Sequence, residues 1–517
     1  MKEPWILAID LGTGGPKTGA VTLTGELLAH SIRSVPTDYT SRGRATQETA
    51  DWWRGIREGV AALLANGVVA EDLVGVGITG QWGSTVPVDS SGEAAGPCLL
   101  WADSRGGPYS AQVLGGLVRV VGYAPATLWH WLRLTGGAPS PHGADPLGHH
   151  LLLRHELPEI YARTATLMEP LDFLGLRLTG RRAATPASMI LSWLTDNRNG
   201  GRAEYSPTLV RRSGRERALL PELLPTGGVL GGILPAVAEE LGLPAGVPVV
   251  AGVPDLHTGY IGSGAVAPYA GHLSISTTAW VSCEVPFKRT DVLHQMASVP
   301  GVRRGTYLVA NNHETAGLCL QWLRDSVLTD NGETPGYDQL TALAATAPAG
   351  AGGVIFTPWL NGERSPVEDR SLRAAFLNVS MATDRSHLVR AVLEGVAFNA
   401  RWLLDAVEKF VRRDLPSLRI FGGGACSPLW CQIHADILGR PIELVAEPMH
   451  TNLRGAALFA GMSLGRLRLD DVPGRVRVVR TFEPGTEATT VYAPMYREYQ
   501  RLYRRLRGTY ATLNGRS

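Results

Sequence analysis

The chain is predicted to be α/β and to fold as two domain-sized halves, on three observations. Its 517 residues exceed what one hydrophobic core organises. Its first part runs strand, strand, strand, helix, strand, the order of an α/β domain. After glycines and prolines crowd positions 225–248, a strand pair with a small-residue tip returns. The seam falls just after that crowded stretch, so the expected domains are 1–252 and 253–517.

Residues 5–10 form an apolar run ended by Asp10; the turn LGTGGP follows, then 17–23, a hairpin pattern with a glycine-rich tip. Residues 27–32 add a third strand, and 48–64 have helical spacing, with Trp52, Ile56, Val60 and Leu63 on one side. Strands are expected at 74–79 and 86–89, and PCLLWAD ends at Asp103 before a helix. From Leu151 the chain is helix-rich up to Gly180, and the arginines of 211–217 read as a solvated helix face. Beyond the seam, 273–276 and 280–285 pair around a Ser/Thr tip. Then come a strand at 306–310, helices at 315–327 and 387–410, a strand at 418–421, and the turn GGGACSPLW opening a further helix.

Composition excludes several classes. The 49 basic and 47 acidic residues leave a net charge of +2, with no field of one sign to hold nucleic acid or an anionic membrane. No apolar run reaches the roughly 18 residues a bilayer span needs. MKEPWILAIDLG passes straight into a strand pattern without a signal-peptide cleavage region, so a cytoplasmic protein is expected. Five scattered cysteines argue against a disulfide framework. Cys426 and Cys431 bracket SPLW, a spacing unlike a zinc or redox CxxC, and are expected as buried thiols.

The hairpin tip carries more than a turn requires. Glycines there permit positive φ and let backbone NH groups approach a phosphate. DLGTGGPK adds Thr13 as a hydroxyl donor, Lys17 as a point charge and Asp10 as an oxygen ligand for hydrated Mg²⁺. These are the groups needed at the end of a nucleotide; a tight hairpin is the plainer alternative. In AGVPDLHTG, Asp255 stands between a proline and a helix start, as a base or as an ordinary N-cap. FGGGACSPLW has the strand, glycine turn and helix order of nucleotide sites. Gly317 and Gln321 lie one turn apart on one helix face, at a nucleotide or simply on a packed helix with an exposed amide.

AIDLGTGGPK, the LTG at Gly180, PDLHTG, AGLCLQWLRD, FTPWLNGERSPVEDRSLRAAFLNVS, HLVRAVLEGVAFNAR and FGGGACSPLWCQIHADILGRP occur in this order between Ile6 and Met462. Together they resemble the FGGY carbohydrate kinases, most of all the xylulokinase branch. The resemblance implies two actin-like, ribonuclease-H-like ATPase domains with an interdomain cleft for ATP and sugar. It implies γ-phosphoryl transfer from ATP, with Mg²⁺, to a hydroxyl of a ketopentose such as xylulose or of a related polyol. On this resemblance Asp255 is similar to the catalytic base and Asp10 to the carboxylate near Mg²⁺. Gly12, Thr13 and Lys17 fall in the first phosphate hairpin and Thr277 and Thr278 in the second, while Gly317, Gln321, Gly423, Gly424 and Ala425 match the nucleotide side. Gln81, Trp82, Asp103 and Arg105 fall on the sugar side. The implied partner is a small-molecule sugar, without nucleic acid or membrane; a homodimer is left open.

The departures cluster at the sugar. Xylulokinases of the family usually carry GQMHG where this chain has GQWGS, so Trp82 and Gly83 replace a Met and a His. Glycerol kinases carry Arg and Glu there, which disfavours glycerol. Trp82 is expected either to stack on a sugar face or to join the core, and Asp103 with Arg105 either binds sugar or forms a structural ion pair. Leu256 follows the base where many relatives have Asn or Gln. Ser276 occupies a commonly glycine tip, at a cost on the order of 1 kcal/mol if the position needs positive φ. Asn378 likewise replaces a common glycine. These changes leave a second class open, a kinase-fold sugar- or nucleotide-binding protein with little or no turnover. Asp10, Lys17, Asp255 and GGGA together favour the enzyme, since a binder needs no base.

Overall fold

The computed structural model describes residues 3–40, 43–120, 122–198, 202–330 and 332–515. The chain divides into two compact units. Met1–Gly264, Val299–Tyr307 and Asn452–Arg475 make the first, and Ala265–Ser298, Leu308–Thr451 and Val476–Ser517 the second. Asp255 therefore belongs to the first unit, where a seam at 252/253 would have it open the second. The reason is a sheet pairing: Val253–Pro254 runs parallel to Leu73–Gly80 and ties the segment to the first unit. Among the described residues no helix is long and apolar enough to cross a membrane.

In the first unit, β1 (Trp5–Gly12) and β2 (Gly15–Thr22) are antiparallel with Gly12 opposite Gly15, leaving Thr13 and Gly14 as the tip. Gly15 has φ 127°, and a Cβ there would collide with the Arg33 carbonyl, so only glycine serves. β3 (Leu27–Ile32) lines the other side of β2. α1 (Thr49–Ala65) buries Trp52, Ile56, Val60 and Leu63. β4 (Leu73–Gly80) runs parallel to β1, followed by β5 (Pro248–Val250) and an antiparallel edge at Val229–Gly232. β1 is central and buried on both faces, which is why it reads as an apolar run without alternation. β6 (Val253–Pro254) leads directly into α2 (Asp255–Gly262).

In the second unit, β7 (Gly271–Ile275) is antiparallel to β8 (Ala279–Ser282) and parallel to β9 (Leu418–Phe421). β10 (Ile442–Val445) follows in parallel, with Val478–Phe482 as the antiparallel edge. The hairpin strand with a parallel neighbour repeats the scheme of β2, β1 and β4.

Several elements differ from the sequence expectation. The helix-rich stretch up to Gly180 is broken: helices start at Pro158 and Pro170, and the strand Thr166–Met168 between them pairs with Val86–Val88. Proline is favourable at a first helical position, so each one resets the helix. The expected helix at 315–327 starts at Gly317 and ends in a π-turn at Leu323–Val327. Arg215 is only 5% exposed, not solvated. All five cysteines are free, and Cys426, expected to be buried, is exposed. Ser276 is not among the residues with positive φ, so no strain attaches to it, whereas Asn378 does adopt φ 64°, a conformation asparagine tolerates.

The helix Thr451–Ser463 returns to the first unit from Asn452 onward and crosses α2, where a Cβ on Gly455 would run into the Thr258 carbonyl. Gly455→Ala is expected to destabilise the protein by about 1–3 kcal/mol through overpacking. Urea unfolding checks this, and an unchanged midpoint would contradict the close approach.

Candidate active site

β4 sets the geometry. Its Thr79 lies opposite Asp10 of β1 on one side and opposite Val253 of β6 on the other. Asp10 and Asp255 therefore emerge at the same end of the sheet, beyond the carboxyl ends of parallel strands, where α/β sheets place ligands. Asp10 is buried, and its cross-strand partner Lys17 brings Nζ to 3.4 Å from Oδ2. Asp255 is half-buried. Its Oδ1 accepts the Leu256 NH at 2.8 Å, and its carbonyl accepts from the Thr258 hydroxyl, itself paired at 2.9 Å with that of Thr79.

Burial first, and the negative charge of Asp10 second, push the Asp255 carboxyl up to about 7, against the Leu256 NH and the Lys17 ammonium. A carboxyl near neutrality is matched to proton abstraction.

The hairpin tip is held from below. The Gln47 amide donates to the Thr13 carbonyl and to the Thr37 hydroxyl, each at 2.7 Å, and accepts from the Trp52 indole at 2.9 Å. The Thr13 hydroxyl donates to Gln81 Oε1 at 3.3 Å and accepts from Trp101 Nε1 at 3.1 Å. Sequence reading missed the roles of Gln47, which belongs to no motif, and of Trp101, which sits in PCLLWAD without being singled out; both lie far along the chain from Thr13. Because the Thr13 hydroxyl is engaged with Gln81, the tip offers an anion chiefly Lys17 and the NH groups around Gly12 and Gly14.

Gln81 is 5% exposed, and its Nε2 has no protein partner. A buried donor left open costs stability and is ready for an acceptor from outside the chain. The Trp82 indole donates to the Ser188 carbonyl at 3.1 Å, and its ring meets His257 edge-on at 6.4 Å between centroids. Gly83 has φ 81°, which accounts for glycine at that position. Leu256 is 6% exposed and packs inward. Asp103 has both carboxylate oxygens engaged by the Arg105 guanidinium, at 2.6–3.1 Å, and also accepts the Ala45 NH. Its acceptors are thus spent inside the protein.

In the second unit, the tip between β7 and β8 presents Thr277 exposed and Thr278 half-buried. The NH of Gly317 donates to the Ser276 carbonyl at 2.8 Å, and a Cβ on Gly317 would strike that carbonyl. The turn after β9 packs on the same hairpin: a side chain on Gly424 would hit Ile275, while one on Gly423 would meet nothing. Thr277, Thr278, Gly317, Gly423, Gly424 and the buried Ala425 are thereby gathered at one hairpin tip. Gln321 is exposed, next to Asp325.

Among the described residues no three His, Cys, Asp or Glu side chains gather as a metal cage. That donor set suits Mg²⁺, which keeps several waters and takes one or two carboxylates plus phosphate oxygens. Asp10, beside Asp255, fits this role. A surface pocket lined by Glu48, Trp53, Glu93, Phe173 and Arg177 shares no residue with this centre.

The C-terminal domain model of the FGGY family of carbohydrate kinases matches residues 282–464, and its N-terminal domain model matches 5–113 and 150–262. The chain is 27% identical over 525 residues to the xylulose kinase of Staphylococcus epidermidis, covering 99% of each. The crystal structure of a xylulose kinase from Rhodospirillum rubrum superposes with a TM-score of 0.80 at 26% identity, covering 98% of this chain and 99% of that one. That of a gluconate kinase from Lactobacillus acidophilus does so with 0.83 at 20% identity, covering 99% and 100%. The shared architecture is the two-domain, actin-like ATPase fold. Since the two family models span well over half of its length, the chain belongs to the FGGY family of carbohydrate kinases and is a sugar kinase that uses ATP with Mg²⁺.

Proposed function

We propose that this kinase phosphorylates a hydroxyl of a ketopentose, xylulose or a close relative, with Asp255 as the base. The observation that carries the reading is the pairing of a near-neutral Asp255 with Asp10 and Lys17 at one sheet end. Phosphoryl transfer needs in-line positioning, neutralised phosphate charge and an acceptor that loses its proton as the new bond forms. The sugar O–H gives its proton to Asp255 Oδ2, the oxygen left free by the Leu256 NH. Lys17 and the tip NH groups meet phosphate charge, and Asp10 would hold a hydrated Mg²⁺, which would supply further charge neutralisation. Gln81 Nε2 donates to a sugar oxygen, Trp82 offers an apolar ring face, and Asp103 frames the site by orienting Arg105. Thr277, Thr278, Gly317, Gln321, Gly423, Gly424 and Ala425 serve the nucleotide.

The names of relatives such as the xylulose kinase of Staphylococcus epidermidis support the substrate. The five free cysteines fit a reducing, cytoplasmic setting. Ser276 is unstrained, which removes one ground for a binder without turnover.

Asp255→Asn is expected to lower kcat by about 10²–10⁴-fold, the worth of a positioned base, in a coupled ADP assay with D-xylulose; unchanged turnover would remove Asp255 from the chemistry. The same variant is expected to melt higher than wild type at pH 8. The folded carboxyl at about 7 lies above its ordinary 3.8, so ionisation favours the unfolded chain. The gain is full above pH 7 and fades as pH falls toward 4. Across a panel of D-xylulose, D-ribulose, glycerol and gluconate, kcat/KM is expected to be highest for D-xylulose and lowest for glycerol; a preference for glycerol would contradict the reading of Trp82 and Gly83.

A further inference from the structure

The turn that leaves β4, Gln81 to Ser84, has two consecutive NH groups with a common acceptor. Both donate to one oxygen: Gly83 N and Ser84 N each lie 3.1 Å from Glu169 Oε2. Glu169 is 2% exposed and occupies the N-cap position of the helix Pro170–Thr179. An acidic residue at that position ordinarily accepts NH groups of its own helix. Glu169 makes no such bond and spends its acceptor on the turn. One turn along, the buried Asp172 is hydrogen-bonded by Ser188, whose carbonyl takes the Trp82 indole NH. Backbone and side chain of the turn are thus held from one helix end.

Taking a carboxyl out of water is costly, and here it is offset by the Gly83 and Ser84 NH groups, which would be buried without an acceptor if Glu169 were apolar. Burial and neighbouring Asp172 hold the Glu169 carboxyl well above the usual range, while the two NH groups and the buried Arg215 oppose them. Glu169 Oε1, Asp172 Oδ2 and Arg215 Nε have no partner in the chain, so the cluster is not a closed ion-pair network built for stability. What it does achieve is to fix Gly83 at its positive φ, and with it the directions of Gln81 and Trp82.

We propose that Glu169 is a positioning residue of the sugar site: by accepting both turn NH groups it aims Gln81 Nε2 and the Trp82 ring at the substrate. The inference rests on the reading of Gln81 and Trp82 as sugar residues. Four variants separate the two claims, assayed with D-xylulose and ATP varied in turn. Glu169→Leu removes both acceptors and is expected to raise the sugar KM about tenfold or more, as loss of a buried hydrogen-bonded anchor does, with the ATP KM unchanged. Glu169→Gln keeps a carbonyl oxygen in place and is expected to restore the wild-type sugar KM. If Glu169→Leu does not fold, Glu169→Asp, which withdraws the carboxylate by one methylene, takes its place with the same expectation. A folded Glu169→Leu or Glu169→Asp variant with wild-type sugar KM, or one that raises both KM values alike, overturns the proposal. Gln81→Ala, measured alongside, is expected to raise the sugar KM as well. If it does so while Glu169→Leu is silent, only the positioning role fails; if it is silent, the sugar-side reading itself fails.

Discussion

Two carboxylates placed side by side at one sheet end, with a single lysine to offset them, are the constraint on which the rest depends. Like charges so close cannot both ionise freely, and burial adds to the cost, so one of the pair is driven toward neutrality. Asp10 is anchored by Lys17 across the hairpin, and Asp255 therefore takes the upward shift. The fold sustains this because β4 holds β1 and β6 on either side, so neither aspartate can move off without breaking parallel strand pairing. The destabilisation is local and the surrounding core is apolar and closely packed, as at Gly455 against α2.

The same division of labour extends to the two glycine- and Ser/Thr-tipped hairpins. In the first, positive φ at Gly15 and the Gln47 amide fix the tip, so its donors are preorganised. In the second, Gly317 and Gly424 let a helix start and a turn close directly onto the strand ends. Gly15 and Gly317 permit backbone to lie against backbone, and Gly424 lets its turn lie against the Ile275 side chain, a requirement that makes these stretches visible as motifs.

Much of this was legible in the sequence. The hairpin at 5–22, the strand Leu27–Ile32 and the strand Leu418–Phe421 came through because apolar runs and glycine turns are local signals. The membership of Asp255 in the first unit did not, since it depends on two residues pairing with a strand far upstream. Glu169, Gln47 and Trp101 were invisible for the same reason: each acts on a turn remote in sequence and carries no spacing of its own. Arg215 looked solvated because its neighbours in the chain are polar, whereas in the fold it is buried with Tyr205, Asp145 and Glu169 of other segments acting on its charge. The departures at Trp82 and Gly83 acquire a physical sense together. The indole is tied to Ser188, and the glycine supplies the positive φ that turns the backbone toward Glu169.

The central claim is that Asp255, lifted by burial and by Asp10, is the proton acceptor. The pH profile of kcat/KM for the sugar tests it most directly, because that quantity reports ionisations of the free enzyme. The base works only when ionised, so activity should fall tenfold per pH unit on the acid side of a midpoint at about 7. A midpoint in the ordinary aspartate range, about 4, would contradict the account.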